Sequence, residues 1–158
     1  MTKPGLVYIT GASSGIGQAL AQHYYQRGWS LALVARRTQV IEQWAQSIGM
    51  DEQRYAVYEA DVSVIDSACR AGQACLERQG LPDIVIANAG ISWGVDTSLR
   101  EDLDVMQQVL ACNTMGLAAS FQPFIAPMVG RGSGRLVGVC SVAGIRGLPG
   151  HAAYSASK

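Results

Sequence analysis

The sequence predicts an α/β fold built on a parallel sheet, and three observations carry that prediction. Short apolar runs of strand length alternate with longer stretches of helix length along the whole chain. The first run, Leu6-Val7-Tyr8-Ile9, leads straight into a glycine-rich turn that opens a helix. Short polar segments then recur just past the carboxyl end of each strand, the edge where open sheets of this kind bind ligands.

Composition sets the limits. The chain has 158 residues, 49% apolar and only 15% charged, which describes a globular domain and not a disordered one. By length it is one domain spanning residues 1–158, large enough for its own core. The formal net charge is zero, so no electrostatic nucleic-acid partner is expected. A strand begins almost at once, leaving no room for a signal peptide, and no apolar run approaches membrane-spanning length. A cytoplasmic location with no membrane partner is therefore expected. Cys69, Cys75, Cys112 and Cys140 show neither C-x-x-C pairing nor a histidine at ligand spacing. They read as small buried apolar residues in a reducing compartment, with no metal site.

In order, the turn Thr10-Gly11-Ala12-Ser13-Ser14-Gly15-Ile16-Gly17 follows the first strand. Gly11 allows a sharp turn, while Gly15 and Gly17 let backbone approach a ligand closely. Free N–H groups and the positive end of a helix dipole there suit a diphosphate. A helix runs from Ile16 to about Arg27 and stops at Gly28; Ser30 to Ala35 is a strand buried on both faces. Arg36 and Arg37 follow, then a helix from Thr38 to about Ile48 and a strand from Arg54 to Tyr58. After Asp61 and Val62, Ser63 with Asp66 predicts a capping box for a helix running to about Gln79. Asp83 to Ala87 is the fourth strand, followed by Asn88-Ala89-Gly90. Ser98 with Glu101 predicts a second capping box and a long helix through Asn113 towards Phe121, kinked or ended by Pro123 and Pro127. Gly134 to Cys140 is the fifth strand, with Ser141 just past its end.

The chemistry gathers at the end of the chain. Tyr154 and Lys158 are four residues apart and share one face of a helix. Two unit charges about 4 Å apart at an effective dielectric near 20 attract by roughly 4 kcal/mol, so an ammonium there favours the phenolate. That makes the tyrosine a usable proton donor and acceptor. The Ser141 hydroxyl, at the end of the neighbouring strand, would hold a carbonyl or alcohol oxygen against the phenol.

Taken together these segments are similar to the short-chain dehydrogenase/reductase family. The matching motifs are the glycine turn, Asp61-Val62, Asn88-Ala89-Gly90, Asn113-Thr114-Met115-Gly116, Ser141 and Tyr154-Ser155-Ala156-Ser157-Lys158, in the family's order and spacing. The resemblance implies a Rossmann-like doubly wound sheet with five strands in the order 3-2-1-4-5. It implies hydride transfer between a nicotinamide cofactor and a small carbonyl or alcohol substrate. Tyr154 would be the acid/base and, with Lys158, part of the cofactor site, and Lys158 would assist it and bond the nicotinamide ribose. Ser141 would position the substrate oxygen, and Asn113 would bind a water linking Lys158 to solvent. Gly11, Ser13, Ser14, Gly15, Ile16 and Gly17 would hold the diphosphate, Asp61 and Val62 the adenine. Asn88, with Ala89 and Gly90 beside the cofactor, would tie the central strands together. An acid at the end of the second strand would select NAD(H), whereas arginine accommodates a 2′-phosphate. Here the strand ends Val34-Ala35-Arg36-Arg37, so NADP(H) is expected in preference to NAD(H), with Arg36 the main partner and Ser13 or Arg37 assisting.

The chain also departs from the family pattern, in which further helix, strands and a substrate loop follow the motif lysine. The C-terminal strands are expected to be missing and the domain incomplete, with Val137 and Val139 on an uncovered sheet edge. The alternative to an oxidoreductase is thus a catalytically inactive truncated fragment that binds cofactor or serves as a scaffold. Near the predicted site Ser92, Trp93, Val142, Ala143, Ile145 and Leu148 are mostly apolar, favouring an apolar ketone, aldehyde or acyl group. His151 reads as a loop residue. The long helix from Glu101 resembles one that builds family dimers, so a homo-oligomer is expected of a complete chain.

Overall fold

The computed structural model describes residues 5–158. Five parallel strands form one sheet in the order β3-β2-β1-β4-β5. They are β1 (Leu6–Thr10), β2 (Ser30–Ala35), β3 (Tyr55–Glu59), β4 (Ile84–Ala87) and β5 (Arg135–Gly138). Between them lie α1 (Gly15–Gln26), α2 (Thr38–Ser47), α3 (Ile65–Arg78), α4 (Arg100–Leu110) and α5 (Gly116–Arg131), with α6 (Ala152–Ser157) last. The expected doubly wound order is therefore the observed one. Val7 pairs with Leu31 on one side and Ile84 on the other, so the carboxyl ends of β1, β2 and β4 are level.

The central strands are buried on both faces, and their alternate side chains feed two cores. Tyr8, Val34, Tyr58 and Val85 meet Phe124 and Met128 of α5 and Cys75 of α3. Val7, Ile9, Leu31, Leu33 and Ile86 meet Ala21 of α1 and Ile41 and Ala45 of α2. The Tyr8 and Phe124 rings pack edge to face with centroids 4.9 Å apart. Continuous apolar runs of this kind are what a sheet covered by helices on both faces demands.

Neither predicted capping box forms. The Asp61 carboxylate accepts from both the backbone N–H and the hydroxyl of Ser63, so that serine is committed backwards and α3 starts later, behind Val64. Asp96 does the same to Ser98, and α4 starts behind Leu99. An aspartate two residues upstream outcompetes the helix for the serine in both places.

The prolines do not end the long helix either. α4, a π-helical turn (Ala111–Met115) and α5 run continuously from Arg100 to Arg131, with Pro123 and Pro127 inside α5. Proline at position 123 removes the N–H that would bond the Ala119 carbonyl four residues back. The Cys69 thiol donates to that carbonyl instead, across 3.7 Å. Because the prolines do not interrupt it, Arg100–Arg131 is long and apolar enough to cross a membrane by length and composition, against the expectation from the sequence. Its Phe124 and Met128 side are buried in the sheet core.

β5 differs from the other strands, being exposed throughout. Val137 lies on the open edge as expected, while Val139 is half-buried against the second core. Cys75 and Cys112 are buried as expected, but Cys69 is half-buried and Cys140, just past this edge strand, is exposed.

Candidate nucleotide-binding and catalytic site

The site begins at the carboxyl end of β1. Gly11 has φ +68°, and a Cβ there would lie 2.9 Å from the Ala89 backbone. Gly17 is packed against the Gly11 carbonyl, where no side chain fits. The buried Thr10 hydroxyl accepts from the N–H groups of Asn88 and Ala89, each at 3.1 Å. The Asn88 amide donates in return to the Thr10 carbonyl at 3.0 Å, tying β1 to β4. Behind this turn the N-terminus of α1 has no side-chain cap and no acid in its first turn, so its positive end is uncompensated.

A cavity of about 630 Å³ opens in front of that helix end. Gly11, Ser13, Ser14 and Ile16 line it from the glycine turn, and Arg36 and Arg37 from the end of β2. Asp61 and Val62 line it from the end of β3, and Asn88, Ala89 and Gly90 from the end of β4. Gly15 and Gly17 fall in the first turn of α1 and do not line the cavity. Arg36 lies 4.0 Å from Asp61 across the opening. The Ser63 hydroxyl holds the Asp61 carboxyl below the usual carboxylate range, against the effect of partial burial and helped by the Ser63 N–H and Arg36.

A second group of residues meets the cavity at Gly90. A Cβ on Gly90 would come 3.1 Å from Lys158 Nζ and 3.2 Å from Asn113 Oδ1. Lys158 Nζ donates to the Val139 carbonyl at 3.0 Å and lies 5.9 Å from the centre of the Tyr154 ring. The buried Asn113 sits within the π-helical turn. Its Oδ1 accepts from the Ile91 N–H at 2.8 Å, while its Nδ2 donates to the Ile91 carbonyl and the Ser157 hydroxyl. Asn113 thus clamps the loop after β4 to α6, which carries Tyr154 and ends just before Lys158. Ser141 stands past the end of β5, but its hydroxyl accepts from the Ala143 N–H and makes no hydrogen bond to Tyr154 among the described residues.

Three features escape the sequence reading. Thr10 acts as the hydroxyl bridge from β1 to the Asn88 turn, and Ser157 is the partner of Asn113. The far wall of the cavity comes from α4 and the π-helical turn, through Gln108, Ala111 and Cys112. Their spacing of three and four residues is a helix face legible in the sequence, though nothing there says what it faces.

The family model for short chain dehydrogenases matches residues 5–158. The chain belongs to the short-chain dehydrogenase family. It is 38% identical over 153 residues to an uncharacterized oxidoreductase of Myxococcus xanthus, covering 95% of this chain and 59% of that protein. It is 37% identical to a dehydrogenase/reductase SDR family protein 7-like of Drosophila melanogaster, covering 98% of this chain and 49% of that protein. Among solved structures, a short-chain dehydrogenase from Streptomyces avermitilis superposes with a TM-score of 0.88 at 27% identity, covering 100% of this chain and 57% of that one. An alcohol dehydrogenase from Thermococcus sibiricus, complexed with 5-hydroxy-NADP, gives a TM-score of 0.82 at 26% identity over 96% of this chain and 64% of that one. The chain spans about half to two thirds of the length of these short-chain dehydrogenase relatives.

Proposed function

We propose that the protein is an NADP(H)-dependent oxidoreductase that interconverts a carbonyl and an alcohol. One observation carries the reading: Gly90, which lines the cavity in front of α1, stands beside the Lys158 ammonium, and that ammonium lies 5.9 Å from the centre of the Tyr154 ring. The residues suit a dinucleotide. The uncapped helix end and the close-packed glycine turn match a diphosphate, and Arg36 and Arg37 match a 2′-phosphate. The Thermococcus sibiricus relative, complexed with an NADP derivative, supports that choice.

When bound, the cofactor supplies the hydride. Tyr154 gives its hydroxyl proton to the carbonyl oxygen as the carbon receives that hydride, leaving an alcohol and a phenolate. The Lys158 charge, with Nζ 5.9 Å from the centre of the Tyr154 ring, would stabilise the phenolate, and Asn113 would steady α6 through its bonds to Ser157 and Ile91. Ser141 hydrogen-bonds the substrate oxygen once its hydroxyl turns from the Ala143 N–H. Val142, Ile145 and Leu148, all exposed around the site, favour an apolar substrate. Exposed Leu103 in α4, Met115 in the π-helical turn and Ile125 and Val129 in α5 favour a homo-oligomer. We place its work in the cytoplasm, where NADPH and reduced cysteines are both at hand.

The second reading, a cofactor-binding module without turnover, draws support from the open edge of β5 beside Ser141. Mixing the protein with NADPH and a simple apolar aldehyde separates the two. Consumption of NADPH with matching alcohol formation supports the oxidoreductase. Tight NADPH binding with no alcohol supports the module, and no binding overturns both.

A further inference from the structure

We infer that His151 is a specificity-determining residue, whose ring N–H binds a second carbonyl oxygen of the substrate, one methylene away from the carbonyl that Tyr154 protonates. The inference rests on the oxidoreductase reading above and names its substrate class: neutral β-dicarbonyl compounds such as β-keto esters. His151 stands immediately before α6. Its backbone is in use, the N–H donating to the Leu148 carbonyl at 3.1 Å and the carbonyl accepting from the Ser155 N–H at 2.8 Å. Its side chain is not. It gives α6 no cap bond, and Nδ1 is the one buried side-chain nitrogen or oxygen without a hydrogen-bond partner among the described residues. Buried polar atoms are paired as a rule, so this ring nitrogen points to a partner that enters from outside the chain.

The place of His151 decides what that partner is. Its bond to the Ser155 N–H closes the first turn of α6, so His151, Tyr154 and Lys158 follow one another along one helix face. Lys158 lies on the cofactor side of Tyr154, against Gly90 of the cavity. Helical side chains lean toward the N-terminus, so the phenol leans toward His151 on the other side. Gly150, just before it, accepts from the Val95 N–H at 2.8 Å, which holds this turn against the loop that brings Trp93 into the cavity wall. The serines of α6 are already committed. The Ser155 hydroxyl accepts from the Leu148 N–H, and the Ser157 hydroxyl bonds Asn113 and the Tyr154 carbonyl. No such bond fixes the His151 ring, so a half-turn about Cβ–Cγ leaves carbon in the buried place and puts Nδ1 on the opposite edge. Val142, Ile145 and Leu148 in the segment leading to it are apolar and exposed, which suits a neutral carbonyl oxygen as the acceptor.

The test compares ethyl acetoacetate with 2-heptanone, a plain ketone of the same chain length. With NADPH present, kcat/KM is measured for both in wild type, His151→Phe and His151→Asn. The ratio of the two values in each protein sets aside cofactor affinity, and comparing that ratio between proteins sets aside the intrinsic reactivity of the ketones. Phenylalanine keeps a ring without nitrogens, and asparagine keeps a donor near the Nδ1 position. The preference for ethyl acetoacetate is expected to fall about fivefold in His151→Phe and to recover in part in His151→Asn. An unchanged preference, or a loss shared equally by both ketones, overturns the inference and leaves His151 a structural residue of the α6 turn. A wild type that binds NADPH and reduces neither ketone overturns it too. Failure to bind NADPH overturns the oxidoreductase reading and the inference with it.

Discussion

The end of the molecule around β1 and the end around β5 are held together by different means. β1, β2 and β4 are buried on both faces, and Thr10 and Asn88, 78 positions apart, interlock the glycine turn with the end of β4. β5 is exposed along its whole length, and α6 spans only Ala152–Ser157. The second end is held by a small apolar cluster, in which the buried Ala153 of α6 meets Val95 and Val109, and by a few polar contacts: Asn113 to Ile91 and Ser157, and Lys158 to the Val139 carbonyl. The proposed nucleotide end thus rests on two large cores, whereas the proposed catalytic end rests on a small apolar cluster and on hydrogen bonds reaching back to the loop after β4. The two are expected to fail separately.

The largest effect is expected from breaking the chemistry alone. Tyr154→Phe should lower the turnover rate by about 10²–10⁴-fold, because it removes the only proton donor assigned to the reaction. NADPH affinity should stay unchanged in a titration of the same variant, since the hydroxyl lies outside the cavity walls. Parallel loss of binding and turnover would mean that the two ends are not separable.

Next comes the joint between them. Asn113→Ala removes both bonds to Ile91 and the one to Ser157, all from a buried side chain. It should cost about 2–4 kcal/mol in a denaturant titration and lower turnover more than NADPH affinity. An Asn113→Ala protein as stable as wild type would show that packing, not this clamp, holds α6.

The smallest effect belongs to the nucleotide end. The Asp61 carboxyl is held low mainly by the Ser63 hydroxyl, with burial opposing. A carboxyl lowered on folding contributes stability above the ordinary carboxylate range, and that stability is lost as pH falls through the folded value. Ser63→Ala should therefore cost about 0.5 kcal/mol near neutral pH, discounted for the partly exposed carboxylate. The difference should shrink as pH falls through the lowered Asp61 value, where the carboxyl becomes protonated in both proteins. Melting curves across that range would check the sign.

The same contrast explains what the sequence made legible. Strands with continuous apolar runs, such as Ser30 to Ala35, announce themselves because burial on both faces leaves no polar position. The glycine turn and the Tyr154–Lys158 spacing are equally local, so they can be read from a few residues. Capping at Ser63 and Ser98 is local too, yet Asp61 and Asp96 compete for those serines, and composition alone does not rank the two bonds. The helix through Pro123 depends on a thiol fifty positions away on another helix, and such rescue leaves no mark near the proline. Likewise nothing near Gln108 or Ser157 shows that one faces a cavity and the other meets Asn113.

The most direct test of the account is an equilibrium titration of the protein with NADPH and NADH, beside Arg36→Ala. Wild type should bind NADPH at least about tenfold more tightly, as a charge-assisted contact to the 2′-phosphate provides, and Arg36→Ala should lose most of that preference. Equal affinities for the two cofactors in wild type would contradict the account at its centre.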